Sequence, residues 1–370
     1  MAELADAPAL GAGGREPVRV RVPPSPFALF RDISKTTSQV REVAAQAVPR
    51  VRDDGRAKPL DAGDRSAGQS LTRSRMTIAA CYLSHEGVVL GADSTATYRF
   101  GNRPHYYDFN QKLFEVGRKT TLGITTWGRG ELDGTSFRTL IAELADSLVA
   151  TPPASMTEIA DRWVTLFGGR WGAAFATQIA RGQALEAKLQ AQGLTQPEAQ
   201  ELVNLINSYF TGFCLGGYWP PDRTPQAFVF EFDPRVAQVA PQPLAYDTAS
   251  FFAMRTPILR MIKGYDDRLV GDIMKSGKWT GTEQELRAIM GKYQLTHDVR
   301  LPLRDAIDFV HAGIYTTIKA VKFSRVDQSC GGPIEIAVIS SDRRFRWVRH
   351  KQMDQAVMLQ EGRHAKRSKA

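Results

Sequence analysis

From residue 77 onward, apolar positions come in short runs separated by turn formers. Thr77-Ile-Ala-Ala-Cys-Tyr-Leu83 and Val88-Val-Leu-Gly-Ala92 flank Ser84-His-Glu-Gly87, and β-prone runs around such a turn predict a hairpin. Lys112-Leu-Phe-Glu-Val116 and Thr120-Thr-Leu-Gly-Ile-Thr-Thr126 predict a second hairpin around Gly117-Arg-Lys. The period then changes. Phe137, Leu140, Ile141, Leu144 and Leu148 recur at helical spacing, as do Ile159, Trp163, Leu166 and Phe167, and each stripe predicts a helix with one face on a core. Thr195-Gln-Pro-Glu198 has capping-box form with Pro in the first turn, so a helix starts there and runs to Tyr209. Strands are predicted at Thr211–Leu215, Ala227–Phe232, Ile334–Ile339 and Phe345–Val348, with a helix carrying Leu303, Ile307, Val310, Ile314 and Ile318 between the middle pair. Strands, helices, strands, helices, strands in that order argue for sheets sandwiched between helices rather than an alternating βαβ sheet.

Residues 1–75 have a different grain. They are rich in Ala, Arg, Pro, Gly and Asp, with Phe27 and Phe30 as their only aromatics, too little apolar surface to offset the entropy of ordering them. This stretch reads as a disordered leader, with room for a short helix near Ser38–Val48. Met76 opens the strand-rich part, so 1–76 reads as a propeptide or as an upstream extension from a misassigned start. Both leave Thr77 as the first residue of the working chain. Residues 77–350 read as one domain with a helical insertion at about 151–205, and 351–370 as a basic tail.

Charge alters this picture little. The net charge of +9 is the kind of excess that suits an acidic partner, but much of it lies in the Arg-rich leader and in Arg363, Lys366, Arg367 and Lys369, which argues against a nucleic-acid site. No stretch approaches the roughly 18 to 20 apolar residues of a membrane span, and no signal-peptide pattern opens the chain. The 3 cysteines, Cys81, Cys214 and Cys330, and the 6 histidines are scattered, with no ligand spacing for a metal. The reading is a cytoplasmic protein that needs no metal or cofactor.

The chemistry-bearing residues stand at strand ends: Thr77, Gly87, Ala92-Asp93-Ser94-Thr95-Ala96-Thr97, Gln111-Lys112, Thr126-Trp127-Gly128 and Val326-Asp327-Gln-Ser-Cys330-Gly331-Gly332. In order and register this series resembles the proteasome β-type subunits, whose mature chain begins with a nucleophilic Thr. The Thr77-to-Asp93 spacing of 16 residues matches that family without a gap. The resemblance spans roughly 77–350, close over 77–130, fair over 211–233 and 301–350, and poor over 151–205 and 266–300.

What the resemblance implies is a four-layer αββα sandwich of the N-terminal-nucleophile hydrolases, α+β in class, and hydrolysis of peptide or other amide bonds through an acyl-enzyme on Thr77. A Thr hydroxyl is a weak nucleophile that needs a base, and a free α-amine, with a pKa of about 7.7 to 8.0, is such a base near neutral pH. By resemblance Lys112 places positive charge beside the Thr77 oxygen, Asp93 fixes Lys112, and Gly128 N–H faces the oxyanion. Asp327 and Cys330 lie beside the amine, and Thr95 and Thr97 bind the substrate backbone. The resemblance also implies a homo-oligomeric ring acting on a peptide or protein substrate. Four features depart from the pattern: Cys330 stands where the family has Ser, Thr95 replaces a common Arg, Ala249-Ser-Phe-Phe-Ala-Met-Arg255 offers no second family Ser, and Met precedes Thr77 where self-cleaving precursors have Gly. A catalytically silent assembly subunit is the alternative that these departures leave open.

Overall fold

A computed structural model describes residues 77–100, 103–295, 300–325, 328 and 330–351. The expected leader, Asp327 and the chain beyond Lys351 lie outside the described residues. The fold is mixed, α+β in class, and its two main sheets are antiparallel.

Strands β1 (Ile78–Ser84) and β2 (Gly87–Ala92) form the first expected hairpin, paired from Ala79↔Ala92 to Ser84↔Gly87. With β12 (Thr248–Ala253), β13 (Glu335–Ser340) and β14 (Arg343–Arg349) they make a five-stranded sheet in the order β12-β1-β2-β13-β14. The second hairpin is β5 (Leu113–Glu115) and β6 (Leu122–Gly128), joined through Gly117 and Lys119, both at positive φ. Strands β9 (Thr211–Gly217), β10 (Gln226–Phe232) and β11 (Gln242–Pro243) complete a second five-stranded sheet, ordered β11-β10-β9-β6-β5. Two small hairpins lie apart from these sheets: β3 (Ala96–Phe100) with β4 (Arg103–Tyr107), and β7 (Glu131–Leu132) with β8 (Thr135–Ser136).

Alternation along each strand decides what packs where. Ala79, Cys81 and Leu83 of β1 and Val88, Leu90 and Ala92 of β2 share one core with Cys214, Ala227 and Val229 from the other sheet. The intervening Ile78, Ala80, Tyr82 and Val89 face Val310 and Ile314 of a long helix, Leu303–Lys322. On the second sheet Ile124, Phe213, Leu215 and Phe230 meet Leu140, Ile141 and Leu144 of α1 (Phe137–Ala150). Strand β1 is therefore buried over its whole length, which explains an apolar run without a polar face.

The second helical stripe takes an unforeseen form. Helix α2 (Met156–Trp163) passes through a π-helical turn, Val164–Gly168, into α3 (Gly169–Ala174). That turn keeps both Trp163 and Phe167 fully buried against Phe213, at 4.9 and 4.7 Å between ring centroids. Within the 151–205 stretch, this first half thus belongs to the core under the second sheet. The second half does not: α4 (Ala176–Gln192) and α5 (Gln196–Tyr209) bury Leu185, Ala199, Leu202 and Ile206 in a small cluster of their own. The expected capping box of Thr195 and Glu198 is present at the start of α5. Helices α6 (Thr256–Lys263), α7 (Asp267–Lys275) and α8 (Glu283–Gly291) precede α9, the long helix Leu303–Lys322. Strand β12 and helices α6 and α7 had no clear signature in the sequence, whereas α8 opens on a capping box of Thr282 and Glu285; β12 exists because its backbone pairs with β1 over Ile78↔Ala253 to Leu83↔Thr248. Among the described residues no helix is long and apolar enough to cross a membrane.

Candidate functional site

Thr77 immediately precedes β1, and its carbonyl accepts from Met254 N–H at 2.9 Å, tying it to the strand that covers that edge. Asp93 follows β2, the partner strand, so the hairpin returns it to the same end of the sheet. Lys112 comes from the other sheet. It directly precedes β5 and is held there by Thr126 N–H and Thr125 Oγ1, both donating to its carbonyl at 2.9 and 3.1 Å. From that anchor its ammonium reaches across, donating to Thr77 Oγ1 at 2.8 Å, Asp93 Oδ1 at 2.7 Å and the Thr95 carbonyl at 2.6 Å.

This cluster is nearly dry: Thr77 is 5% exposed, Lys112 4% and Asp93 0%. Asp93 also accepts from Ile78 N–H (3.2 Å), Thr95 N–H (3.2 Å) and Gly331 N–H (2.9 Å). Burial pushes its carboxyl up from the ordinary range, while Lys112 and the N–H groups of Gly331 and Ile78 pull it down. A buried carboxylate with one buried ammonium and three N–H donors is fully matched, whereas either charge alone would be expensive. The pair thus staples one end of the two sheets and presents the Thr77 hydroxyl to a cation.

Cys330 is fully buried beside this pair, and burial together with the negative Asp93 pushes its thiol up to about 12. It is a neutral thiol at physiological pH. The following residues wrap the Asp93 segment, with Ser94 and Thr95 N–H both donating to the Gly331 carbonyl and Ser94 Oγ donating to the Pro333 carbonyl. Thr95 is 1% exposed and donates its hydroxyl to Asp108 Oδ1 at 2.6 Å. Thr97 is 3% exposed, and its hydroxyl is among the buried polar atoms with no hydrogen-bond partner. Neither threonine lines the open cavity. The structure brings Thr77, Asp93, Lys112, Thr95 and Cys330 together, with Gly128 a few residues along the neighbouring strand.

The cavity, about 550 Å³, opens between Thr77, Lys112 and Gly128 on one side and the start of α1 on the other. Gly128 ends β6 at φ +87°, and a Cβ there would lie 2.6 Å from the Phe210 carbonyl oxygen, so the position demands glycine. Four further residues of the wall carry no signal in the sequence: Arg129, Arg138, His350 and Lys351. Lys351, placed by composition at the start of a basic tail, turns inward. Its ammonium lies 3.0 Å from Glu335, a carboxylate with no exposure, and donates to the Asn110 carbonyl at 2.8 Å. Burial lowers its pKa, against the pull of Glu335. His350 Nδ1 lies 2.8 Å from the same carboxylate. Among the described residues no group of three or more His, Cys, Asp or Glu side chains is placed to hold a metal ion.

No family model and no curated protein matches the chain. Among solved structures it is similar to the Anbu (Gly-1) mutant from Hyphomicrobium sp. strain MC1, at 12% identity and a TM-score of 0.37, over 79% of this chain and 96% of that one. That likeness is too distant to bear on mechanism.

Proposed function

We propose that this chain is a threonine-type N-terminal-nucleophile hydrolase of the proteasome-like kind, cleaving peptide or other amide bonds through an acyl-enzyme on Thr77. The observation that carries the reading is the buried contact of Thr77 Oγ1 with Lys112, itself locked to Asp93, at the edge of a cavity. The two sheets sharing one core, with helical clusters on their other faces, support a four-layer αββα sandwich.

In this reading the chain must begin at Thr77, because an amide nitrogen joined to Met76 is not a base. The freed α-amine takes the hydroxyl proton as Oγ1 attacks the scissile carbonyl. Lys112 at 2.8 Å from that oxygen favours the developing alkoxide. Gly128 N–H is the proposed donor to the oxyanion. Collapse expels the amine product with that proton and leaves an ester on Thr77. Water then attacks the ester, giving its proton to the same amine, which passes it to Thr77 Oγ1 as the C–O bond breaks and the acid is released. Asp327 is proposed to orient the amine. Closed oligomeric rings sequester such sites, and a heterologous interface repeated about an axis builds one; sedimentation as a monomer counts against this.

The test uses an electrophile able to bond both hydroxyl and amine of one threonine. In protein whose intact mass corresponds to a start at Thr77, a ring adduct forms on that residue. Thr77→Ala abolishes it and Thr77→Ser keeps part. Absence of adduct in folded, correctly trimmed protein would support a silent assembly subunit instead.

A further inference from the structure

Among the described residues, the cavity beside Thr77 is lined by four basic side chains, Lys112, Arg129, Arg138 and Lys351, and by no Asp or Glu. Two of these charges are answered from behind, Lys112 by Asp93 and Lys351 by Glu335. The other two are not. Among the described residues, neither Arg129 nor Arg138 has a carboxylate within ion-pair distance. Arg129 donates to the carbonyls of Ser208 and Glu131 and lies over the Phe175 ring. Arg138 is exposed, donates to Gln111 Oε1, and lies over the Phe114 ring at 5.6 Å. Arg138 also stands close enough to Lys351 to help lower that lysine's pKa, so like charges converge there. The positive end of α1 adds to the same field: Ser136 caps it, Ser136, Phe137 and Arg138 all line the cavity, and its first turn holds no acidic residue.

Resting on the hydrolase reading above, we infer that this cavity selects substrates bearing a carboxylate next to the scissile amide, such as a peptide with Glu or Asp on the acyl side, and that Arg138 is the residue that grips it. A guanidinium offers a planar fork that matches a carboxylate. Phe109, Phe114 and Phe137 supply apolar wall for the methylenes that carry it. A basic side chain in the same place would meet unpaired like charge.

The test is equilibrium binding, by fluorescence anisotropy, of two labelled Ala-rich hexapeptide amides that differ only in Glu against Gln at one position. The protein is the full chain carrying Thr77→Ala, which cannot turn substrate over. The Glu peptide should bind about tenfold tighter than the Gln peptide, the order expected of one partly screened charged hydrogen bond. The preference should shrink with added salt, vanish in Arg138→Gln and survive in part in Arg138→Lys. Equal binding of the two peptides, no binding of either, or a preference unchanged in Arg138→Gln each overturns the inference. Because the assay is blind to catalysis, a Glu preference in a protein that forms no Thr77 adduct sinks only the hydrolase reading. Adduct formation without the preference sinks only the assignment of the carboxylate.

Discussion

The two walls of the cavity are built on opposite principles. On the Thr77 side the reactive ion pair is buried and matched: Lys112 has three oxygen acceptors and Asp93 has four donors, Lys112 among them. On the α1 side Arg138 is exposed and holds only a neutral amide oxygen. The first wall is part of what joins the sheets, so its chemistry and the fold's stability cannot be separated. The second is an addition to the surface, where charge can change with little effect on folding. A reactive group thus sits in the rigid part and selectivity in the adjustable part.

The largest effect expected from breaking this contrast is Lys112→Met, which leaves Asp93 buried and uncompensated. It should cost about 3–5 kcal/mol, read from the denaturant midpoint, and abolish adduct formation at Thr77. The double variant Lys112→Met/Asp93→Asn should recover much of that stability and none of the reactivity. Equal loss in both would show that the charge pair is not what holds this wall.

Gly128→Ala comes next. Its positive φ and the Phe210 carbonyl at 2.6 Å from a new Cβ predict a loss of about 1–3 kcal/mol, with reactivity falling further than stability explains if the N–H binds the oxyanion. A variant with full stability and full labelling rate removes Gly128 from the site.

Cys330 gives a pH signature. Its folded value near 12 exceeds the ordinary 9.0, so the unfolded thiol ionises first and stability falls as pH rises through the window from 9 towards 12. Cys330→Ala should flatten that alkaline slope in denaturation curves. Native protein at pH 8 should also resist a thiol reagent at this position, whereas denatured protein should react there; rapid native alkylation would mean that the wrapping loop opens.

The smallest change belongs to the exposed wall. Arg138→Gln should alter stability by no more than about 0.5 kcal/mol while removing the preference for a carboxylate. A stability loss comparable to that of Lys112→Met would erase the distinction between the walls.

The local elements of the Thr77 wall were readable from the chain because each rests on short-range order. The turn Ser84–Gly87 dictates the β1–β2 pairing, which in turn dictates that Thr77 and Asp93 share one sheet end. The apolar stripe of α1 and the capping box of α5 were likewise visible as local periodicity and side-chain chemistry. What no local pattern carried was β12, a strand only because β1 offers an edge, and the π turn that brings Trp163 and Phe167 together under Phe213. The cationic wall was equally hidden. Arg138 and Lys351 are 213 residues apart, 351 minus 138, each an unremarkable charge in its own neighbourhood. Their convergence requires β13 to return beside β2 with the last strand, β14, on its far side, and the first helix to begin at the cavity that the end of β6 also lines. Period and turn chemistry act over a few residues and so are written along the chain; electrostatic complementarity depends on distances between remote segments, and only folding sets those.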